Sequence, residues 1–351
     1  SIASYVRIND GTKGQKQAPI DPKQERRKIR PNSSIKQSLN KFQTVSYIQS
    51  FYTMTPTTST PPRPKVTRKT VFTGTMAFLV VLFSMPLGHA LMILMEHYLQ
   101  PPWLYYAAFS MGAVGLIVTV AGVFARGDTR QTLFGLFGGL LFWTGWIEFL
   151  FVYYAHRFGV EPLRDAAGEI VTKPEYLIMP SSFGFWAMFM LLYLFSVRTG
   201  CNFFNYLQRV FFRQSTVRVE LKPLARHTAL ITFMELNLIL WTSYLVLLFC
   251  YDDHFLGDRH PVTTLVAFGA LASSFYMFGR LIRISSWGYA IRYAIPTVIV
   301  FWTFVEVIMR WQILHEIWVH PLEYRNEMLI ILVAFIVLLG VIIYRSWRRK
   351  G

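Results

Sequence analysis

Eight apolar segments dominate the chain from Val71 onward, at approximately 71–98, 103–125, 131–156, 183–204, 227–251, 261–283, 290–315 and 327–346. Each is long enough to cross a bilayer core, which takes about 20 helical residues. No water reaches that core to pair with free backbone N–H and C=O groups, so segments of this kind must be helices. The expected fold is therefore an all-α integral membrane protein with eight transmembrane helices. Composition agrees, since 53% of the residues are hydrophobic and only 15% charged, which excludes an ordinary soluble domain.

The placement of Lys and Arg sets the expected orientation. One set of connections holds Lys65, Arg68, Lys69, Arg126, Arg130, Arg198, Arg209, Arg213, Arg218, Lys222 and Arg226, and then Arg280, Arg283, Arg292, Arg345, Arg348, Arg349 and Lys350. The opposite set holds only Arg157, Arg164, Lys173, Arg259 and Arg325. Positive charge is retained inside, so both termini are expected to be cytoplasmic, in a bacterial-type inner membrane. The net charge of +16 does not indicate nucleic acid, because residues 1–70 alone hold fourteen Lys/Arg against Asp10, Asp21 and Glu25. That basic stretch lacks helical or strand periodicity and is expected to be disordered. It contains no cleavable signal pattern, and Met54 opens a stretch that would also read as a natural start. Cys201 and Cys250 fall near opposite faces in this topology, so no disulfide is expected between them.

A duplication organises the spans. Phe142, Trp143, Thr144, His156, Val160, Pro162 and Leu163 recur at a constant offset of 159 residues as Phe301, Trp302, Thr303, His315, Val319, Pro321 and Leu322. The glutamates in the middle of the two copies, Glu148 and Glu306, miss that register by one. At an offset of 157, Glu96-His97-Tyr98-Leu99 is answered by Asp253-His254-Phe255-Leu256. Four helices return a chain to its starting side, so two tandem (parallel) four-helix repeats are expected. Residues 71–204 form the first and 227–351 the second, joined by a basic interfacial linker at 205–226.

Seven of the eight histidines, all but His227, fall toward the expected outer side, where eleven acids meet five bases. Imidazole with carboxylate suits copper, iron or zinc, although acids collect on a translocated side without any ligand. Deeper groups are more informative, because an ionisable side chain in hydrocarbon is costly and turns toward partners in the bundle. His89 lies eight residues before His97, Glu148 eight before His156 and Glu306 nine before His315. At 100° per residue His89 and Glu96 share a face, whereas Glu306 and His315 point apart. Glu306 has Arg310 at the spacing of an intrahelical ion pair. Pro86 could open a kink beside His89.

Aromatics at the outer ends are expected to form an interfacial belt, and the glycines at 112, 115, 122, 135, 138 and 139 to permit close helix packing. The densest polar stretch, HEIWVHPLEY from His315 to Tyr324, carries neither an HExxH pattern nor the histidine series of membrane desaturases. Its WVHPLEY end resembles helix ends in copper-dependent membrane monooxygenases, a likeness that covers seven residues and implies no family membership.

Three functions follow as expectations. The first is a metal- or haem-binding oxidoreductase or redox subunit, with His89, Glu96, His97, Glu148, His156, Asp253, His254, His315 and His320 as candidate ligands for copper, iron, zinc or haem. The second is a cation- or proton-coupled transporter that uses Glu148, Glu306, Arg310 and His89, with Glu235 and Asn237 continuing a polar path inward. The third is a non-catalytic scaffolding subunit of a membrane complex. The lipid bilayer and neighbouring complex subunits are the expected partners, and nucleic acid is not.

Overall fold

The computed structural model describes residues 66–164, 168, 170–196, 227–313 and 317–348. The expected tail up to residue 65, the linker 205–226 and His315 lie outside the described residues. Within them, eight helices are long and apolar enough to cross a membrane, so the chain is a multi-pass membrane protein. The spans are Arg68–Tyr98, Trp103–Phe124, Asp128–Arg157, Pro174–Leu194, Thr228–Tyr251, Pro261–Leu281, Trp287–Arg310 and Arg325–Ser346.

Local chemistry sets several span ends. Thr67 caps the first span in a reciprocal box with Thr70, which satisfies N–H groups that the first turn leaves unpaired. The sixth span starts with Pro261 after His260, whose ring accepts from the Val262 N–H. Proline suits this position because it lacks an N–H that the first turn could not use. Both internal prolines are absorbed, as the first span runs through Pro86 and the seventh through Pro296 without interruption. The seventh span stops at Arg310, five residues short of the expected end at His315. Gln312 there adopts a left-handed backbone with φ of 58°, which ends the helix.

The third, fifth and seventh spans are more than half buried, whereas the sixth and eighth are mostly exposed. Their core joins Leu133 and Leu136, Leu236 and Ile239, Ile291, Ala294 and Val298 to Val80 and Val81 of the first span. The packing follows a pattern. The second span lies along the third as the sixth lies along the seventh, and the fifth packs on the third as the first packs on the seventh. The eighth touches the first as the fourth touches the fifth, and the third and seventh meet each other.

Glycines set the closest approaches between the second and third spans. A Cβ on Gly145 would meet the Ala108 carbonyl oxygen at 2.7 Å, and one on Gly115 would meet the Gly138 carbonyl oxygen at the same distance. Removing side chains is what allows these backbones to touch.

One end of the bundle, the arginine end, is tied by Arg292, whose Nη1 donates to Asp128 Oδ1 at 2.7 Å and Thr132 Oγ1 at 2.6 Å. The Thr228 N–H donates to Gln131 Oε1 at the same end. At the opposite, histidine end, the connection after the third span is not wholly irregular. Leu163–Arg164 pairs antiparallel with Ile170–Thr172, and a short helix, Pro174–Ile178, leads through a 3-10 turn at Met179–Ser182 into the helix Phe183–Ser196. The two-stranded hairpin is a departure from an all-helical reading. Its strands are too short for sequence alternation to reveal.

Candidate functional site

A segment whose sequence recurs, with FWT at 142–144 and again at 301–303, builds the site at the histidine end. Its first copy, within the third span, contains a π-helical turn at Trp143–Glu148 between α-helices Asp128–Phe142 and Phe149–Arg157. A π turn closes from i to i+5 and so holds one residue more than an α turn. Between threonine and glutamate the first copy has one residue more, four against three, and between glutamate and histidine one fewer, eight against nine, so the two copies are equal in length from threonine to histidine. The register slip between the glutamates thus opens at the π turn and closes again before the histidines.

The slip changes the partner of the carboxylate. In the second copy Trp302 and Glu306 stand four apart on regular helix, and the Trp302 Nε1–H donates to Glu306 Oε1 at 2.8 Å. In the first copy Trp143 and Glu148 are five apart, and Trp143 instead stacks on Tyr244 at 5.6 Å and 20°. Glu148, buried, shares a hydrogen bond of 3.1 Å with Nδ1 of His89 in the first span. At 1.5 Å per residue the pair sits about 12 Å below His156. A contact between an imidazole and a carboxylate at that depth allows a proton to be held between them or passed along.

Aromatic groups close over the pair. Tyr176 of the short helix stacks on Tyr244 at 6.0 Å and 13°, continuing the Trp143–Tyr244 stack across three elements. Both Glu148 and Glu306 act electrostatically on His89 and on Tyr176. Beside it opens a cleft of about 580 Å³, between Glu96, Leu104 and Tyr105 on one side and Phe149, Val152 and His156 on the other.

A second polar cluster fastens the same end. Arg310 Nε donates to both carboxylate oxygens of Asp258 at 3.0 Å, and its Nη1 donates to Thr172 Oγ1 at 2.8 Å. Its guanidinium lies 4.8 Å from the centre of the Tyr251 ring, and the Trp311 Nε1–H donates to the Asp258 carbonyl. The ion pair of Arg310 is thus a tertiary one to Asp258, where the i, i+4 spacing pointed to Glu306. Nothing in the spacing along the chain announces Asp258 or Thr172 as its partners.

The expected ligands divide into separate places. His89 and Glu148 meet, and Glu96 and His156 line the adjoining cleft. His97 is exposed, with its ring against Tyr98. Asp253 and His254 are exposed on the turn after the fifth span, where His254 bonds Asp252, and His320 is also exposed. Among the described residues no three His, Cys, Asp or Glu side chains come together as a metal-binding group. Toward the arginine end, buried Glu235 accepts from the Tyr193 hydroxyl at 2.9 Å. The Asn237 amide donates to the Phe233 carbonyl, while its buried Oδ1 has no hydrogen-bond partner among the described residues.

Comparison with family models, curated proteins and solved structures finds no match to this chain.

Proposed function

We propose that the protein is a proton- or cation-coupled membrane transporter whose ion-handling centre is the His89–Glu148 pair. The observation that carries this reading is the 3.1 Å contact between two titratable side chains deep in the bundle. Such groups are rarely retained in hydrocarbon without a role in ion or substrate movement. The adjoining cleft is the mouth of the path. Buried Glu235 and Asn237 supply polar groups farther along it, toward the arginine end. The Lys/Arg distribution makes the arginine end cytoplasmic and the histidine end external.

The architecture is two tandem four-helix repeats in parallel orientation. Support comes from the packing pattern, in which each contact of one half is answered by the matching contact of the other. Thr144 and Thr303 add to it, since each faces the leading helix of its own half. A Cβ on Gly88 would lie 3.7 Å from Thr144 Oγ1, and Thr303 Oγ1 lies 2.8 Å from Ser243 Oγ. Parallel repeats are one of the architectures of secondary transporters.

A zinc centre would require more than this pair, because zinc sites draw on three or four protein ligands. One experiment separates the readings. Purified protein is reconstituted in vesicles loaded with a pH-sensitive dye, and proton, sodium and potassium gradients are imposed in turn. Wild-type vesicles should dissipate at least one gradient faster than empty vesicles, and Glu148→Gln should abolish the difference without changing metal content. Gradients that decay as in empty vesicles would overturn the transport reading. Stoichiometric copper, iron, zinc or haem in the wild type that disappears in His89→Ala would turn the assignment to the metal centre.

A further inference from the structure

The cleft at the histidine end has charge of both signs on an apolar floor. Glu96, at the end of the first span, stands on one wall, and His156 and Arg157, at the end of the third, stand on the other. Leu104, Tyr105 and Phe149 lie between them, with Tyr105 in edge contact with Tyr153 at 5.2 Å. Arg157 is held toward the cleft by its Nη1, which donates to the Tyr153 hydroxyl at 3.0 Å. Glu96 and His156 make no hydrogen bond to another described side chain. Glu175 and Lys173 act on Glu96 in opposite senses from the short outer connection, as Glu148 and His156 do from the third span. Around the opening, Tyr98, Trp103 and Tyr106 are exposed at 68%, 69% and 61%. Amphipathic rings in that setting mark the level of lipid headgroups.

We infer that this cleft binds an ammonium–phosphate zwitterion, the head of an ethanolamine phospholipid or the free phosphoethanolamine. The ammonium pairs with Glu96, the phosphate with Arg157 and His156, and the adjoining hydrocarbon with the Leu104–Phe149 floor. Charge-assisted hydrogen bonds of this kind are the strong ones, and guanidinium is suited to phosphate. About 580 Å³ is within the usual range of small-molecule sites. An acidic lipid such as phosphatidylglycerol satisfies Arg157 and leaves Glu96 facing an uncharged head. A ligand carrying both charges satisfies both walls. Treating this zwitterion as the transported substrate rests on the transport reading above, but its binding stands on the cleft alone.

The test uses delipidated full-length protein in a neutral detergent. Mixed micelles of phosphatidylethanolamine, phosphatidylglycerol or phosphatidic acid are titrated in, and retained lipid is counted by native mass spectrometry. Wild type should hold phosphatidylethanolamine about tenfold more tightly than phosphatidylglycerol, a difference of about 1.4 kcal/mol. Glu96→Gln should remove that preference, Arg157→Gln should weaken both lipids, and Arg164→Gln, on the hairpin, should leave binding unchanged. Soluble phosphoethanolamine that displaces the lipid identifies the free zwitterion as a ligand. Failure to displace it assigns the site to the lipid. Equal retention of the two lipids by wild type, or a preference that survives Glu96→Gln, overturns the inference. Glu148→Gln should keep the preference, so loss of gradient dissipation in that variant and loss of the lipid site are read separately.

Discussion

At the scale of single residues, the second and third spans are held together by what Gly145 lacks. A Cβ there would press on the Gly112 backbone and the Ala108 carbonyl, neither of which is the movable end of a side chain. Gly145→Ala is therefore expected to cost about 1–3 kcal/mol by overpacking, seen as a lowered melting midpoint in detergent. Gly269→Ala, with nothing within 4 Å of the added carbon, should leave the midpoint unchanged or raise it slightly. Equal midpoints for the two variants would show that the close approach contributes nothing to stability. Arg310 offers a test of a different kind. Asp258→Ala would leave a largely buried guanidinium without the carboxylate that its Nε meets. A hydrogen bond to a charged group contributes about 1.5–3 kcal/mol, and the melting midpoint should fall accordingly. Arg310→Lys should lower it as well, because one ammonium cannot reproduce the planar fork that reaches Asp258 and Thr172 together.

At the scale of the element, the third span shows how a glutamate displaced by one position gives two segments of similar sequence different chemistry. In the second copy the tryptophan donates to its own glutamate four residues on. In the first copy the π turn moves the glutamate to the fifth place, and it crosses to His89. Deleting Ile147 would restore the spacing of the second copy and let the turn close as ordinary α-helix. The residues that follow, Glu148 included, should keep their facing, so this deletion is expected to accumulate as folded protein and to dissipate gradients as the wild type does. Deleting Leu136, in regular helix, would rotate every later residue by about 100° and should prevent accumulation. If both deletions abolish accumulation, the π turn is not an absorbed insertion. The sequence carried this signal in the single-residue slip between Glu148 and Glu306, but a slip alone does not say whether a helix widens, breaks or rotates. The spans themselves were legible because hydropathy over about 20 residues needs no tertiary information. Their partners were not: the pairing of His89 with Glu148 joins residues 59 apart, and that of Arg310 with Asp258 joins residues 52 apart, distances at which no periodicity reports. Depth along its span sets His89 apart from His97, Asp253, His254 and His320, but which of these span-end groups meet a partner is not written in the spacing. Their exposed positions follow from where each helix ends relative to its neighbours, and that depends on packing.

At the scale of the whole molecule, the two halves are not separate bodies side by side. The first span has its main helix neighbour in the seventh, and the fifth has its main helix neighbour in the third, so each half supplies a helix to the core of the other. Core residues of the first and seventh spans, Val80 and Val81 with Ile291 and Val298, belong to one buried cluster with Leu136 and Leu236. The Arg292–Asp128 pair then fastens the halves at the arginine end, and Arg310, on the second half, fastens Thr172, on the first, at the histidine end. A chain cut within 205–226 should therefore behave as two complementary fragments. Expressed together and tagged on one fragment only, residues 1–204 and 227–351 should copurify in mild detergent at near-equal amounts. Either expressed alone should be degraded, because the helix surfaces normally covered by the other half would lack their packing partners and their ion pairs. Asp128→Arg should weaken copurification and combination with Arg292→Asp should recover it, since the reversed pair restores attraction between the same two helix ends. Fragments that accumulate independently and fail to associate would mean that the halves fold as autonomous units, and the exchange of helices between them would then not be what stabilises the bundle.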